Sequence, residues 1–289
     1  MSYDGPGIYK MSEREYFSDP VPGGSLSHSG AKLLLEAPAK FKHDVLDCSP
    51  TPPTDAMIFG SAVHCAVLNP QDRDELVVVV DSDTWRGKDA QEARKDAIAT
   101  DRAPVLAKDW AKAERMAEVV RAHPIAGQIL GDPDAVAERS LFWEADGITK
   151  RARVDFMGGR NKDRYVWGDY KTTPDASPLN FPKSVVNYGY HTQQAHYGEG
   201  IAALTGERDA AFIIIAQEKT EPHLVTVFQL SSDLVVMGEQ RMQRAVQVYK
   251  RCMETGEWPG YSDTVEKAVA PTWADYEHAY NLEQWGMAS

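Results

Sequence analysis

The spacing of hydrophobic positions along this chain changes at Glu138. Before that point the pattern is helical. Ser27 or Ser29 can cap a first helix whose formers run over 31–36, and Pro38 ends or kinks it. A second helix is expected over 55–68, stopped by Asn69-Pro70, followed by a short strand over 75–80. Residues 88–122 read as helix, split by Pro104 and closed by His123-Pro124. From Glu138 the positions alternate, which predicts strands over 138–145, 149–156 and 163–171. Asp146-Gly147 makes the first link a tight hairpin turn, and Gly158-Gly159 falls in the second. A helix over 185–204 follows, then strands over 210–217 and 223–230. A last long helix starts after Ser231-Ser232 and runs to Thr255, with Gly256 as its stop and Pro259 just beyond. The order predicts one α/β domain over 1–289 with a mixed central sheet. Its parts are an N-terminal segment to 55, a helical part over 56–135, a sheet core over 136–230 and a C-terminal helix and tail.

Composition narrows the class. At 289 residues and 43% hydrophobic, the chain can bury one large core. Its 31 basic against 43 acidic side chains, net −12, argue against a general nucleic-acid coat protein but not against an enzyme with one local groove. The interval 148–171 is the most basic: Lys150, Arg151, Arg153, Arg160, Lys162, Arg164 and Lys171 stand against Asp155, Asp163 and Asp169. Cys48, Cys65 and Cys252 are too few and too scattered for a disulfide framework and fit a reducing cytoplasm. The N-terminus lacks the order of a signal peptide, and no apolar run approaches the roughly 18 residues of a membrane span.

Arg153-Val154-Asp155 and Trp167-Gly168-Asp169-Tyr170-Lys171-Thr172-Thr173 carry the chemistry. Alternate residues of a strand share a face, so Asp169 and Lys171 point the same way, and the hairpin can bring Asp155 beside Asp169. Two carboxylates and an ammonium at one sheet edge suit a hard divalent cation and phosphodiester hydrolysis. A surface hairpin with a salt bridge is the competing reading. Arg151 and Arg153 flank Asp155 in alternating register, either as phosphate contacts or as solvated surface arginines. Trp143, Trp167 and Tyr170 read as core, and Met237, Met242 and Met253 as packing.

Asp155 followed by Asp169-Tyr170-Lys171-Thr172-Thr173 resembles the motif of the PD-(D/E)xK nucleases, and specifically their exonuclease branch. Gln193-Thr-Gln-Ala-His-Tyr197 is similar to the Q-x-x-x-Y helix after that motif, and Gly60-Ser-Ala-Val-His64 to the G-x-x-x-H helix of RecE-type exonucleases. Tyr16-Phe17, Leu26-Ser-His-Ser-Gly30 and Pro38-Ala-Lys-Phe41 resemble that family's N-terminal segment.

The resemblance implies a restriction-endonuclease-like core with Asp155, Asp169, the Tyr170 carbonyl and His64 around Mg²⁺, for which Mn²⁺ may substitute. Lys171 would act on the attacking water. From residue type alone, His64 is otherwise a core histidine. A glycine at 60 would let its helix approach the sheet or the substrate backbone. Gln193 and Tyr197 would contact the DNA end or brace the catalytic strand, the alternative being helix-to-sheet packing, and Glu138 would support the ligands.

The implied activity is exonucleolytic digestion of linear double-stranded DNA, 5′ to 3′, leaving 3′ single strands for an annealing protein in phage or prophage recombination. A homo-oligomeric ring is expected. Three cysteines exclude the four-cysteine iron–sulfur branch. A PD-(D/E)xK endonuclease and a non-catalytic DNA-end-binding protein are the rivals.

Overall fold

The computed structural model describes residues 3–47, 53–161 and 163–287; Cys48 and Lys162 lie outside them. In chain order the elements are β1 (Gly7–Tyr9), α1 (Glu13–Phe17), β2 (Leu26–Ser27), α2 (His28–Glu36), α3 (Pro38–Phe41), α4 (Asp55–Leu68), α5 (Arg73–Leu76), β3 (Val77–Val80), α6 (Lys88–Ala99), β4 (Ala103–Leu106), α7 (Ala107–Ala122) and α8 (Pro124–Leu130). Then come β5 (Val136–Ala145), β6 (Ile148–Asn161), β7 (Arg164–Thr173), α9 (Phe181–Tyr188), α10 (Tyr190–Thr205), β8 (Ala211–Glu218), β9 (Val225–Phe228), α11 (Ser232–Thr255) and α12 (Thr272–Gln284).

The main sheet is ordered β1-β5-β6-β7-β8-β9, with β2 joined to β6. β7 and β8 are parallel, as are β2 and β6; the other pairs are antiparallel. It is therefore mixed, as expected, with helices on both faces. β8 reads Ala-Phe-Ile-Ile-Ile-Ala because both of its faces are covered, which favours a continuous apolar run over alternation. Ile213 and Ile215 pack with Val63, Ala66, Met116 and Val120 of α4 and α7. Phe212 and Ile214 pack on the other side with Phe181, Val185 and Ile201 of α9 and α10. A further layer, α2 with α11, closes over Leu34, Phe41, Met242 and Tyr249.

Local signals held where the chain's own chemistry decides the turn. Ser27 caps α2 by accepting from the Gly30 amide. Asp146 and Gly147, both at positive φ, join Ala145 and Ile148 as a two-residue hairpin turn.

Packing overrode them elsewhere. Pro104 does separate two helices, α6 and α7, but the separator is a strand: it sits in β4, paired with β3. Both strands of that small sheet are edges, where a residue without an N–H is tolerated. The expected helix over 185–204 is two helices, broken at Gly189. β6 continues past 156 to Asn161, so Gly158-Gly159 is no link but part of the strand, where its pairing with β7 shifts register. Gly158 has φ 110°, and a Cβ there would meet the Asp134 carbonyl oxygen at 2.5 Å. β1, β2 and α12 are additions. Trp143, Trp167, Tyr170 and Met242 are buried, whereas Met237 and Met253 are exposed. Among the described residues no helix is long and apolar enough to cross a membrane.

Gly168, just before Asp169, is required by closeness. A Cβ there would lie 2.0 Å from the Ile213 carbonyl oxygen and 2.5 Å from Phe156 Cζ. Gly168→Ala is expected to destabilise the fold by about 1–3 kcal/mol or more, seen as a melting temperature lower by roughly 2–4 °C per kcal/mol. An unchanged melt would show that β7 and β8 have slack at this point.

Candidate active site

β6 and β7 part company next to the acidic residues of the hairpin. Their pairing ends at Phe156 opposite Gly168. Beyond it β6 stays with β5, while β7 follows β8, with Asp169 opposite Ile214 and Tyr170 opposite Ile215. The split leaves the Tyr170 amide without a strand partner, and Asp155 Oδ2 accepts it at 2.8 Å. Asp155 is thus not at the end of its strand, as expected, but at the end of its ladder.

Asp169 and Lys171 share a face of β7, as alternation requires. Asp169 is 2% exposed, its Oδ1 accepting from Gln193 Nε2 at 2.8 Å and its Oδ2 paired with Lys171 Nζ. Lys171 remains partly open to solvent, with its ammonium 5.1 Å from the centroid of the Tyr190 ring.

His64 arrives from the opposite layer. α4 buries Ala62, Val63, Ala66 and Val67 against the sheet, which leaves His64 leaning on the edge of Tyr170, ring centroids 5.3 Å apart. Its Nδ1 lies 3.7 Å from Asp155 Oδ2 and 3.7 Å from Glu138 Oε1. Glu138, whose backbone sits at φ 54°, a costly conformation for a non-glycine residue, is also ion-paired with Arg153, Oε2 to Nε 2.9 Å. Ligand atoms of His64, Glu138 and Asp155 all lie within 4.8 Å of one another. Glu138 is therefore part of the cluster itself. A signal for it was present: counting back from the two-residue turn at Asp146-Gly147 puts Glu138 across from Asp155.

The charges are mutually dependent. Burial and then the nearby Asp169 push the Asp155 carboxyl up to about 7. Burial pushes His64 down, but Asp155 and then Glu138 outweigh it and hold its pKa at about 9. Burial also opposes the Lys171 ammonium, yet Asp169 and Asp155 keep its pKa above the usual lysine value. Burial raises Glu138, but His64 and Arg153 hold it below the usual carboxylate range.

Crowded buried carboxylates with one imidazole are the donor chemistry of a divalent-cation site, and the repulsion that raises Asp155 is what a cation would relieve. The residues present fit a metal ion. With His64 protonated at neutral pH, binding must displace its proton. Metal affinity is accordingly expected to rise with pH up to about 9, with proton release visible in titrations run in buffers of different ionisation enthalpy. Affinity independent of pH over 6 to 9, or unchanged in His64→Ala, would remove His64 from the ligand set.

The surroundings of Arg151, Arg153, Gln193, Tyr197 and Gly60 bear on the alternatives the sequence leaves open. Arg151 is buried and spent on Asp19, with hydrogen bonds to Ser25 O and Oγ, so it does not face phosphate. Arg153 is bound to Glu138, Met11 O and Ser140 Oγ and works inside the cluster. Gln193 is buried and donates to Asp169, the bracing position among its expected roles, and Tyr197 packs against Trp167 and His28. Gly60 allows no close approach to the sheet, because a Cβ there would meet nothing within 4 Å. A cavity of about 700 Å³ beside the cluster has Ser61, His64, Glu138, Arg153 and Glu13 among its walls. Burial and then Glu138 raise the pKa of Glu13 at this wall.

A family model described as "PDDEXK-like domain of unknown function (DUF3799)" matches residues 27–270. A solved structure from Eubacterium rectale, described as a "Putative exonuclease", is 15% identical, with 91% of this chain and 97% of that one covered and a TM-score of 0.59, a likeness of fold. SSO0001 (11% identical, 76% and 85% covered, TM-score 0.28) and VC1899 from Vibrio cholerae (9%, 80% and 57%, 0.25) are too distant in shape to carry an argument. No curated protein matches the chain.

Proposed function

The chain belongs to the PDDEXK-like domain family, and on that footing we propose that it is a metal-dependent nuclease that degrades linear double-stranded DNA from its ends. The observation that carries the reading is the parting of β6 from β7, beside which Asp155, Glu138 and His64 converge, with the Asp169–Lys171 pair near enough for Asp169 to act on Asp155.

Asp155, Asp169, His64 and the Tyr170 carbonyl would hold Mg²⁺, or Mn²⁺ in its place, with Glu138 closing the set. Bound there, the ion would lower the pKa of a water and offset charge growing on the phosphorus. Gln193 keeps the Asp169 carboxylate aimed, and Asp155 is kept aimed by the Tyr170 amide. Lys171 stays an ammonium in this field, so it serves as a donor to the phosphoryl oxygens and not as the base. Phosphate and cation together would replace the carboxylates as its partners.

The proposal includes 5′-to-3′ polarity, 3′ single strands passed to an annealing protein, and a homo-oligomeric ring. End-labelled linear duplex and closed circular DNA, each with and without Mg²⁺, test it. Release of labelled mononucleotides from the linear form alone, only with metal, is the expected result. Degradation of the circle would overturn the exonuclease reading, and metal-independent release would overturn the site.

A further inference from the structure

Tyr188 and Tyr190 are two residues apart, and on an unbroken helix such neighbours point to different faces. Gly189 stands between them at φ 75°, ending α9 and opening α10. α2 holds the break in place: His28 Nε2 donates to the Gly189 carbonyl at 3.1 Å, and Lys32 Nζ donates to the Tyr188 carbonyl at 2.8 Å. Any side chain at 189 would press on Thr192 Oγ1 at 3.0 Å and Lys32 Cδ at 3.4 Å. The result is that the two tyrosine rings stack, with centroids 5.9 Å apart and planes 27° from parallel.

The stack continues inward. Tyr190 lies on Phe181 at 6.1 Å, and Phe181 on Phe228 at 4.7 Å, both close to parallel. A column of four rings therefore rises from the core, passes under the Lys171 ammonium at Tyr190, and ends in Tyr188, which is 58% exposed. Lys32 stands beside that end. Burial and then Lys171 depress its pKa, with Glu36 offsetting part of the effect.

A flat ring left open at the end of a stack, one step from the catalytic lysine and next to a second cation, matches the make-up of one nucleotide. A base can extend the stack, and its phosphate can lie on the ammonium. We propose that Tyr188, carried on Tyr190, Phe181 and Phe228, is a stacking platform for an unpaired nucleobase of the strand being cut, and that Lys32 receives the adjoining backbone phosphate. The inference rests on the nuclease reading and adds a substrate class to it: a terminus that is single-stranded, or has frayed, when it reaches Lys171.

The test uses the full chain and linear duplexes with a short unpaired terminus, intact or carrying an abasic sugar at one of the first three unpaired positions. Cleavage is followed with Mg²⁺ and binding with Ca²⁺. Tyr188→Ala is expected to weaken binding of the intact terminus by about ten- to a hundredfold, the scale of losing one base–aromatic stack. At one of the three positions the abasic sugar should weaken the wild-type protein by a similar factor, and the two losses should not add. Tyr188→Phe should bind as the wild type does. Lys32→Gln should lower the slope of log affinity against log salt by about 0.7, one single-strand phosphate.

Binding of the intact terminus by Tyr188→Ala as tight as wild type, or equal loss on intact and abasic strands at all three positions, would overturn the platform. If the wild-type protein cuts DNA but is indifferent to these changes, the platform alone falls. If it neither binds nor cuts any of these strands, the nuclease reading falls and takes the platform with it.

Discussion

Asp155→Asn is expected to reduce cleavage by at least about three orders of magnitude, the scale of losing several kcal/mol of charge stabilisation at the reacting phosphate. The amide oxygen can still accept the Tyr170 N–H, so the open end of the β6–β7 ladder keeps its geometry. Without metal the variant should also be more stable than the wild type, in a pH-dependent way. The folded pKa of Asp155, about 7, lies above its ordinary value. The wild-type chain is therefore penalised as pH rises from the normal carboxylate range through about 7, when a buried acid must ionise beside Asp169. The variant escapes that penalty. Melts of metal-free protein should coincide near pH 4 and separate by several degrees at pH 8, with Asn higher. Near-normal cleavage by the variant at saturating Mg²⁺ would refute the site, and coincident melts at pH 8 would refute the account of carboxylate repulsion.

Lys171→Ala should lower kcat by at least about a hundredfold with KM changed far less, in line with losing one preorganised electrostatic contact made mainly in the transition state. Metal binding should persist and tighten somewhat, because the variant frees Asp169 Oδ2 from its ion pair and leaves a buried carboxylate in need of a cation. The variant should be destabilised without metal and recover when metal is added. Lys171→Arg keeps the charge but spreads it over a planar fork, and partial activity is the expected result. A Lys171→Ala protein that turns over normally would make the lysine a structural partner of Asp169 alone. One that loses metal binding altogether would point to collapse of the strand.

Much of this site is legible in the chain because the relevant rules are local. Alternation in β7 puts Asp169 and Lys171 on one face whatever surrounds them. Asp146-Gly147 permits the positive φ values of a two-residue turn, and that turn sets the register of β5 against β6 as far as Glu138 and Asp155. The unbroken apolar run of β8 announces a strand covered on both faces.

Tertiary packing decided the rest, and in each case a charge or a close approach was at stake. Arg151 and Arg153 are as basic in sequence as any phosphate-binding pair. Whether they meet solvent depends on Asp19 and Glu138, brought by β5 and the N-terminal segment, and a buried guanidinium must take the carboxylate it is given. The helix over 185–204 has a helical pattern throughout. Its break at Gly189 exists because α2 supplies the hydrogen bonds that an interrupted helix needs. Glu138 occupies a strained backbone position that no local preference would select; Arg153 and His64, from the neighbouring strand and from α4, hold it there. His64 itself is separated from Asp155 by ninety-one residues of chain. Spacing along a helix says which face the imidazole occupies, but its 3.7 Å approach to Asp155 was settled only when α4 packed its apolar side onto the sheet beside Tyr170.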